Sequence, residues 1–326
     1  MNIKKIGLTA LAGSLVATTA YAGELSLAGA AKFSYKNTEA DTTASHFAMD
    51  QEITASGSAE LDNGMTVSVS HGLATGGSGS DTSTLTLDMG DMGKLAYSDT
   101  DISGGLKALD DITPTAYEEV FDGLGTVAAA AAGNGAGFSW SSSVGGAAVS
   151  IAFSDNYGAT TNRSDGSEDK TAAGASSSSS IGITYPVADT GLTVYGGVGT
   201  EGQNDATEID HTTYGVKYAY GPVTVGYQVN DEDNSAADNT VAADEDLETT
   251  VVGISFMVND NLSISYGEHE TTSTASGAVD QELEGMSIAY SMGGITISAY
   301  DHEGTAISNV SGTNADATEI LVSFAF

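Results

Sequence analysis

Beyond residue 23 the chain alternates. Leu25, Leu27, Gly29, Ala31, Phe33 and Tyr35 share one parity, while Ser26, Ala28, Lys32, Ser34 and Lys36 share the other. The same period returns in Met65, Val67, Val69 against Thr66, Ser68, Ser70, in Val149, Ile151, Phe153 against Ser150, Ala152, Ser154, and in Val223, Val225, Tyr227 against Thr224, Gly226, Gln228. Successive side chains of a strand point to opposite faces, so each such run predicts a strand with one apolar and one polar face. No window carries an apolar stripe at helical spacing over more than two turns, and the expected class is all-β.

The connections alternate as well. Seven short turns rich in Gly, Asn, Asp or Pro fall at 61–64, 90–93, 144–146, 187–191, 221–222, 259–261 and 292–294. Eight long polar loops lie between them, at 37–45, 76–81, 99–134, 155–175, 200–207, 231–246, 271–280 and 304–315. This spacing predicts sixteen strands. An even count puts both ends on the short-turn side, as a closed antiparallel barrel requires if its first and last strands are to pair.

Composition decides what the apolar face meets. A soluble sandwich of this many strands needs a dense core of Leu, Ile and Phe, yet the chain is rich in small residues, with 41 Gly among 326 residues and only 40% hydrophobic. A transmembrane barrel turns its apolar face to lipid and its polar face to water, and needs no such core. The first residues agree. Lys4 and Lys5 precede an uncharged apolar stretch, and Ala20-Tyr21-Ala22 supplies small residues where a signal peptidase reads, so 1–22 reads as a secretory signal peptide and 23–326 as one barrel domain.

Charge narrows the partners. The chain carries 44 acidic and 9 basic side chains, and losing Lys4 and Lys5 with the leader takes the net charge from −35 to −37. Such a surface repels nucleic acid. With no cysteine, disulfides, thiolate metal sites and cysteine nucleophiles are excluded together.

The last strand, ending Ile320, Val322, Phe324 and Phe326, resembles those of Gram-negative outer-membrane porins, whose terminal aromatic is presented to the barrel assembly machinery; Phe326 would be that signal. With the opening Gly23-Glu24-Leu25-Ser26-Leu27-Ala28-Gly29 and an acidic third long loop, the chain most resembles the general-diffusion porins of alphaproteobacteria. The resemblance implies a 16-stranded antiparallel transmembrane β-barrel with short periplasmic turns and long external loops. It also implies a homotrimer in outer-membrane lipid, and a third loop folded inward to narrow the pore.

That loop, 99–134, contains Asp99, Asp101, Asp110, Asp111, Glu118, Glu119 and Asp122 against Lys107 alone. It also contains Ile112, Tyr117, Val120, Phe121 and Leu124, which would be misplaced on an exterior loop and could anchor it to a barrel wall. In the family the loop's carboxylates face basic residues on the opposite wall. Here the residues of lumenal parity that could form such a wall are Lys32, Lys36, Lys94 and Lys217, without the usual arginine cluster; Arg163 falls in an external loop.

Other chemistry has less support. Asp231, Glu232, Asp233, Asp238, Asp244, Glu245 and Asp246 crowd one expected external loop, and hard cations such as Ca²⁺ favour oxygen ligands. Their spacing matches no EF-hand, so the cluster reads as a counterion cloud, and no cofactor is required. His211, His269 and His302 each adjoin an acid, but neighbours along a strand face opposite sides and do not converge on a metal. Gly197-Val198-Gly199-Thr200-Glu201-Gly202 spells a dinucleotide fingerprint without a helix to follow it, and no Gly-x-Ser-x-Gly is present, so an enzyme is not expected. The reading is a water-filled channel for passive diffusion of small hydrophilic solutes and ions, with seven loop acids favouring cations. Its alternative is a non-conducting outer-membrane barrel for adhesion or surface structure, which would lack the inward loop.

Overall fold

The computed structural model describes residues 25–38, 46–74, 83–100, 102–110, 112–125, 136–156, 176–203, 207–234 and 246–325. The proposed leader, Asp101, Asp111, Arg163, Asp238, Asp244, Glu245 and Phe326 lie outside these residues.

Sixteen strands form one closed barrel: β1 (Ser26–Thr38), β2 (His46–Glu60), β3 (Thr66–Ala74), β4 (Ser83–Asp88), β5 (Lys94–Ser98), β6 (Gly137–Val144), β7 (Ala147–Asn156), β8 (Ser176–Pro186), β9 (Leu192–Gln203), β10 (Thr207–Tyr220), β11 (Val223–Asn234), β12 (Leu247–Asn259), β13 (Leu262–Ser273), β14 (Gln281–Met292), β15 (Ile295–Thr305) and β16 (Asn314–Ala325). Every strand pairs antiparallel with its sequence neighbours, and β1 closes on β16 with Lys36 opposite Glu319 and Ala30 opposite Ala325. Closure leaves no edge strand to hydrogen-bond elsewhere. The short turns form where expected. In the two-residue turn between β6 and β7, Gly145 and Gly146 both take positive φ, 59° and 88°, a combination that side chains disfavour.

The arrangement is inside-out relative to a soluble protein. Phe33, Met49, Leu85, Phe153, Tyr214, Val225, Ile254, Met286, Ile297 and Phe324 all stand on the outer face and are more than a third exposed. The two buried apolar clusters among the described residues both lie inside the barrel, beneath the third loop. Strands of about twelve residues at ~3.3 Å per residue, tilted about 40°, rise roughly 30 Å, enough to cross the outer-membrane apolar band. The wall is lowest at β4 and β5, which have six and five residues.

Several strands outrun the sequence expectation. The loop expected at 200–207 shrinks to 204–206, because β9 reaches Gln203 and β10 begins at Thr207. Asp231, Glu232 and Asp233 lie within β11, not in an external loop, with Asp231 opposite Glu248 and Asp233 opposite Asp210. The change from apolar to acidic outer residues marks where the strand leaves lipid. It does not mark where the ladder ends, since backbone pairing continues in water whatever the outer side chains carry.

Candidate functional site: the third loop inside the lumen

After β5 the chain turns into the barrel and runs along the inner wall from β6 round to β16. Ile102 is buried beside Gly137 of β6. A short 3-10 helix, Gly105–Leu109, presses Leu106 and Leu109 onto Tyr195 of β9, with Ile112 packed on the same cluster. Val120 and Leu124 bury against Leu283, Tyr300, Ile307, Ala315 and Ala317 on the β14–β16 side, with Tyr117 and Phe121 alongside. The apolar residues of the loop therefore do anchor it, as their composition suggested.

Polar anchors complement the apolar ones. Gly105 N–H donates to Ser150 Oγ at 3.0 Å and Leu106 N–H to Ser180 Oγ at 3.1 Å. Ala116 N–H donates to Ser265 Oγ at 2.9 Å and Tyr117 N–H to Ser287 Oγ at 3.1 Å, and these two serines are bonded to each other at 2.6 Å. His302 Nδ1 meets the Asp122 carbonyl oxygen at 3.1 Å. Four of these wall groups are serines of the polar strand face, so backbone N–H groups that leave water on entering the lumen find acceptors there.

The wall is also cut away to receive the loop. Gly226, Gly253, Gly267 and Gly285 stand directly opposite one another across β11–β14. A Cβ at Gly226 would lie 2.4 Å from Pro114 Cδ, and one at Gly253 2.9 Å from the Pro114 carbonyl oxygen. On β8 and β9, Gly182 and Gly197 make the same room for Gly105 and Leu106. Glycine weakens a strand interior, and here it marks the close approach of another backbone.

The loop carboxylates do not share one role. Asp99 accepts from Ser83 N–H at 2.7 Å and from the Thr100 hydroxyl at 2.9 Å, fastening the loop's first residue to β4. Burial alone would raise its carboxyl; the bonds from Ser83 and Thr100 outweigh that and hold it below the usual range. Asp110 is exposed, and Glu118, Glu119 and Asp122 are half-buried. Glu119 accepts from Thr113 Oγ1 at 2.9 Å, a bond that braces the loop's own turn. Asp122 is pushed up to about 6, first by burial and then by the neighbouring Glu118 charge, with Lys36 pulling the other way.

All four candidate lysines have lumenal parity, but they do not converge on the loop. Lys36 does reach it: its Nζ lies 5.9 Å from the Tyr300 ring centroid, beside Gly123 and Asp122. Lys32 stands opposite Asp50, and Lys36 opposite Glu319. Lys94 pairs with Asp88 at 3.1 Å by the short turn of β4 and β5. Lys217 faces Gly226, the notch that holds Pro114. Three of the four thus carry an acid opposite them, and hydroxyls fill much of the wall that the loop leaves uncovered. Ser26, Ser56, Ser70, Thr84 and Ser98 form one cross-strand row over β1–β5, and Ser58, Ser68 and Thr86 a second.

A family model describing Gram-negative porins matches residues 7–319. The chain belongs to the Gram-negative porin family. Solved porins share its fold at low identity. An anion-selective porin from Comamonas acidovorans is 12% identical with TM-score 0.68, the match covering 93% of this chain and all of that one. The OmpT outer membrane protein of Vibrio cholerae, in a trimer form, is 12% identical with TM-score 0.69 over 94% of this chain and 100% of its own. A multiply substituted porin of Rh. blastica is 15% identical with TM-score 0.64 over 93% and 100%. Among curated protein sequences none matches. Family and fold together make this an outer-membrane porin channel.

Sequence reasoning missed much of what seats the porin's loop: the glycine row, Ser150, Ser180, Ser265, Ser287 and Tyr300. A readable signal did exist. Glycine recurs at lumenal parity in the interior of all seven strands from β8 to β14, where strand propensity disfavours it. Among the described residues no group of three or more acids or histidines is arranged to hold a metal ion.

Proposed function

We propose that this porin is a cation-preferring general-diffusion channel for small hydrophilic solutes, working as a homotrimer. The observation that carries the reading is the path of the third loop. It lines β6–β16 and leaves the hydroxyl-rich wall of β1–β5 as the open side of the pore, so a permeating solute passes between loop carboxylates and a wall of Ser and Thr whose lysines each stand opposite an acid. Hydroxyls donate and accept, replacing part of a solute's hydration without a charge preference. The bias then comes from Asp110, Glu118 and Asp122, whose field is strengthened by the low-dielectric wall. A non-conducting barrel for adhesion has no use for a loop built into its lumen.

Trimerisation is supported by the outer face. Tyrosines at membrane boundaries anchor lipid-facing strands. Tyr185, Tyr214, Tyr218, Tyr220, Tyr227 and Tyr290 stand exposed on β8–β14, and neither Tyr nor Trp falls between residues 36 and 96. The outer face of β2–β4 instead combines Met49, Ile53, Val69 and Leu85 with Ala55, Gly57 and Ala59, a smooth apolar surface suited to protein packing. The deciding experiment is a planar-bilayer recording in a salt gradient. The expected reversal potential has the sign of cation preference; an anion-selective potential at low salt, or no conductance, refutes the reading.

A further inference from the structure

Two histidines lie beneath the loop segment that carries Glu118 and Asp122. His302 of β15 is 2% exposed and His269 of β13 is 6% exposed, so both rings are almost wholly shut between wall and loop. His302 stacks on Tyr300, with centroids 4.1 Å apart and planes 12° from parallel, and Tyr300 in turn stacks on Tyr117 of the loop. His269 packs against Phe121 of the loop at 5.6 Å. The glycine row ends here: a Cβ on Gly285 would lie 2.3 Å from His302 Cδ2, so the ring occupies the space that glycine leaves.

The hydrogen bond fixes the tautomer. A carbonyl oxygen only accepts, so His302 Nδ1 donates to Asp122, and in the neutral ring Nε2 carries no proton. That Nε2 is buried with no hydrogen-bond partner among the described residues, as is His269 Nδ1. A neutral ring tolerates the site, whereas protonation would leave the Nδ1 bond intact and add a buried N–H without an acceptor, which is costly. Among the described residues the charged and titratable groups around the pair are Glu118, Glu119, Asp122 and Tyr117 from the loop, Lys36 from β1, Tyr300 and Asp301 from β15, and Glu319 from β16.

We propose that His302, with His269 beside it, is a positioning residue for the constriction: as neutral rings the two hold loop residues 117–124 against the wall, and acid loosens that segment by charging His302. The inference rests on the porin reading, because what the segment positions are the carboxylates of the pore. Neither ring need touch the solute; both act through the loop.

The test compares wild type, His302→Asn, His302→Gln and His302→Ala as purified full-length barrels. Asparagine places an amide donor near the position of Nδ1 and does not titrate; glutamine places it near Nε2. Single-channel recordings are taken between about pH 7 and about pH 4, from the ordinary histidine range to below it, because burial disfavours the charged ring. Wild type is expected to be quiet at neutral pH and to show several-fold more current substates in acid. H302N should be quiet throughout, and H302Q and H302A noisy throughout. An acid response that survives in H302N overturns the proposal and assigns the response to the Glu118 and Asp122 carboxylates. H302A as quiet as wild type at neutral pH overturns it as well. Hydrogen–deuterium exchange of 117–124, corrected for intrinsic pH dependence, separates this from failure of the porin reading. A non-conducting wild type would refute the channel, yet acid-enhanced exchange in wild type and its absence in H302N would still support the latch, and equal exchange in both would refute it.

Discussion

At the scale of single residues, location within the loop sorts the acids into anchors and field sources. Asp99 accepts from both Ser83 and Thr100 at its Oδ1, so neutralising it should loosen the loop's start and leave ion selectivity little changed. Replacing Asp110, Glu118 and Asp122 together with amides should lower cation selectivity strongly in reversal-potential measurements. The amide set at Asp231, Asp233 and Glu248, on the outer faces of β11 and β12, should do much less, since the barrel wall stands between it and the loop. Asp122, pushed up to about 6, adds a pH dependence. Cation preference should rise as pH climbs through about 6, and D122N should flatten that rise. The stability effect has the opposite sign. The folded protein keeps a proton that the unfolded chain releases near its ordinary value of about 4, so this group lowers stability as pH rises from about 4 to about 6.

At the scale of elements, the strands act as a mould for the loop. Gly226→Ala and Gly253→Ala add only a methyl, but in each case the methyl meets Pro114, and overpacking of this kind costs about 1–3 kcal/mol. The barrel's hydrogen bonds are untouched, so the predicted result is a folded channel whose loop is pushed toward the axis, read as lower single-channel conductance. Gly57→Ala is the control for the loop, because a Cβ there stands on the outer face with nothing of its own chain within 4 Å, and its single-channel conductance should match wild type. Equal conductance in all three variants would show that the row does not set the loop's position.

At the scale of the whole molecule, the outer surface divides into a tyrosine-anchored side and a smooth side. A charge placed on the smooth side, as in Met49→Arg or Val69→Glu, should favour monomer over trimer in light scattering of mildly solubilised protein. The same change on the opposite wall, as in Ile288→Arg, should leave assembly state unaltered and cost barrel stability, by about 2–4 kcal/mol at the bilayer midplane. Salt supplies a further check: cation preference should fall as the screening length shrinks from about 8 Å at physiological ionic strength to about 3 Å at 1 M. A preference that persists unchanged at high salt would point to binding at close range rather than to the field of the loop.

The amino-acid sequence by itself determined the barrel. Side-chain parity is local, so Leu25 to Lys36 reads as a two-faced strand without knowledge of its neighbours, and alternating connector lengths fix antiparallel order and strand number. It also singled out the third loop, whose Tyr117, Val120, Phe121 and Leu124 had to find an apolar surface. What the tertiary structure alone decided is which wall receives that loop and which charges meet. Parity places Lys32, Lys36 and Lys94 inside the barrel, but strand register decides which acid each meets: Asp88 and Asp50 lie on the adjoining strand of a hairpin, whereas Glu319 reaches Lys36 only because the last strand closes on the first, and a shift of one position would reverse every assignment. His269 and His302 read as separate residues at strand ends. Only the curvature of a closed sheet, with Gly285 lying between their strands and leaving its side-chain volume to the ring of His302, turns them toward the same few residues of the loop.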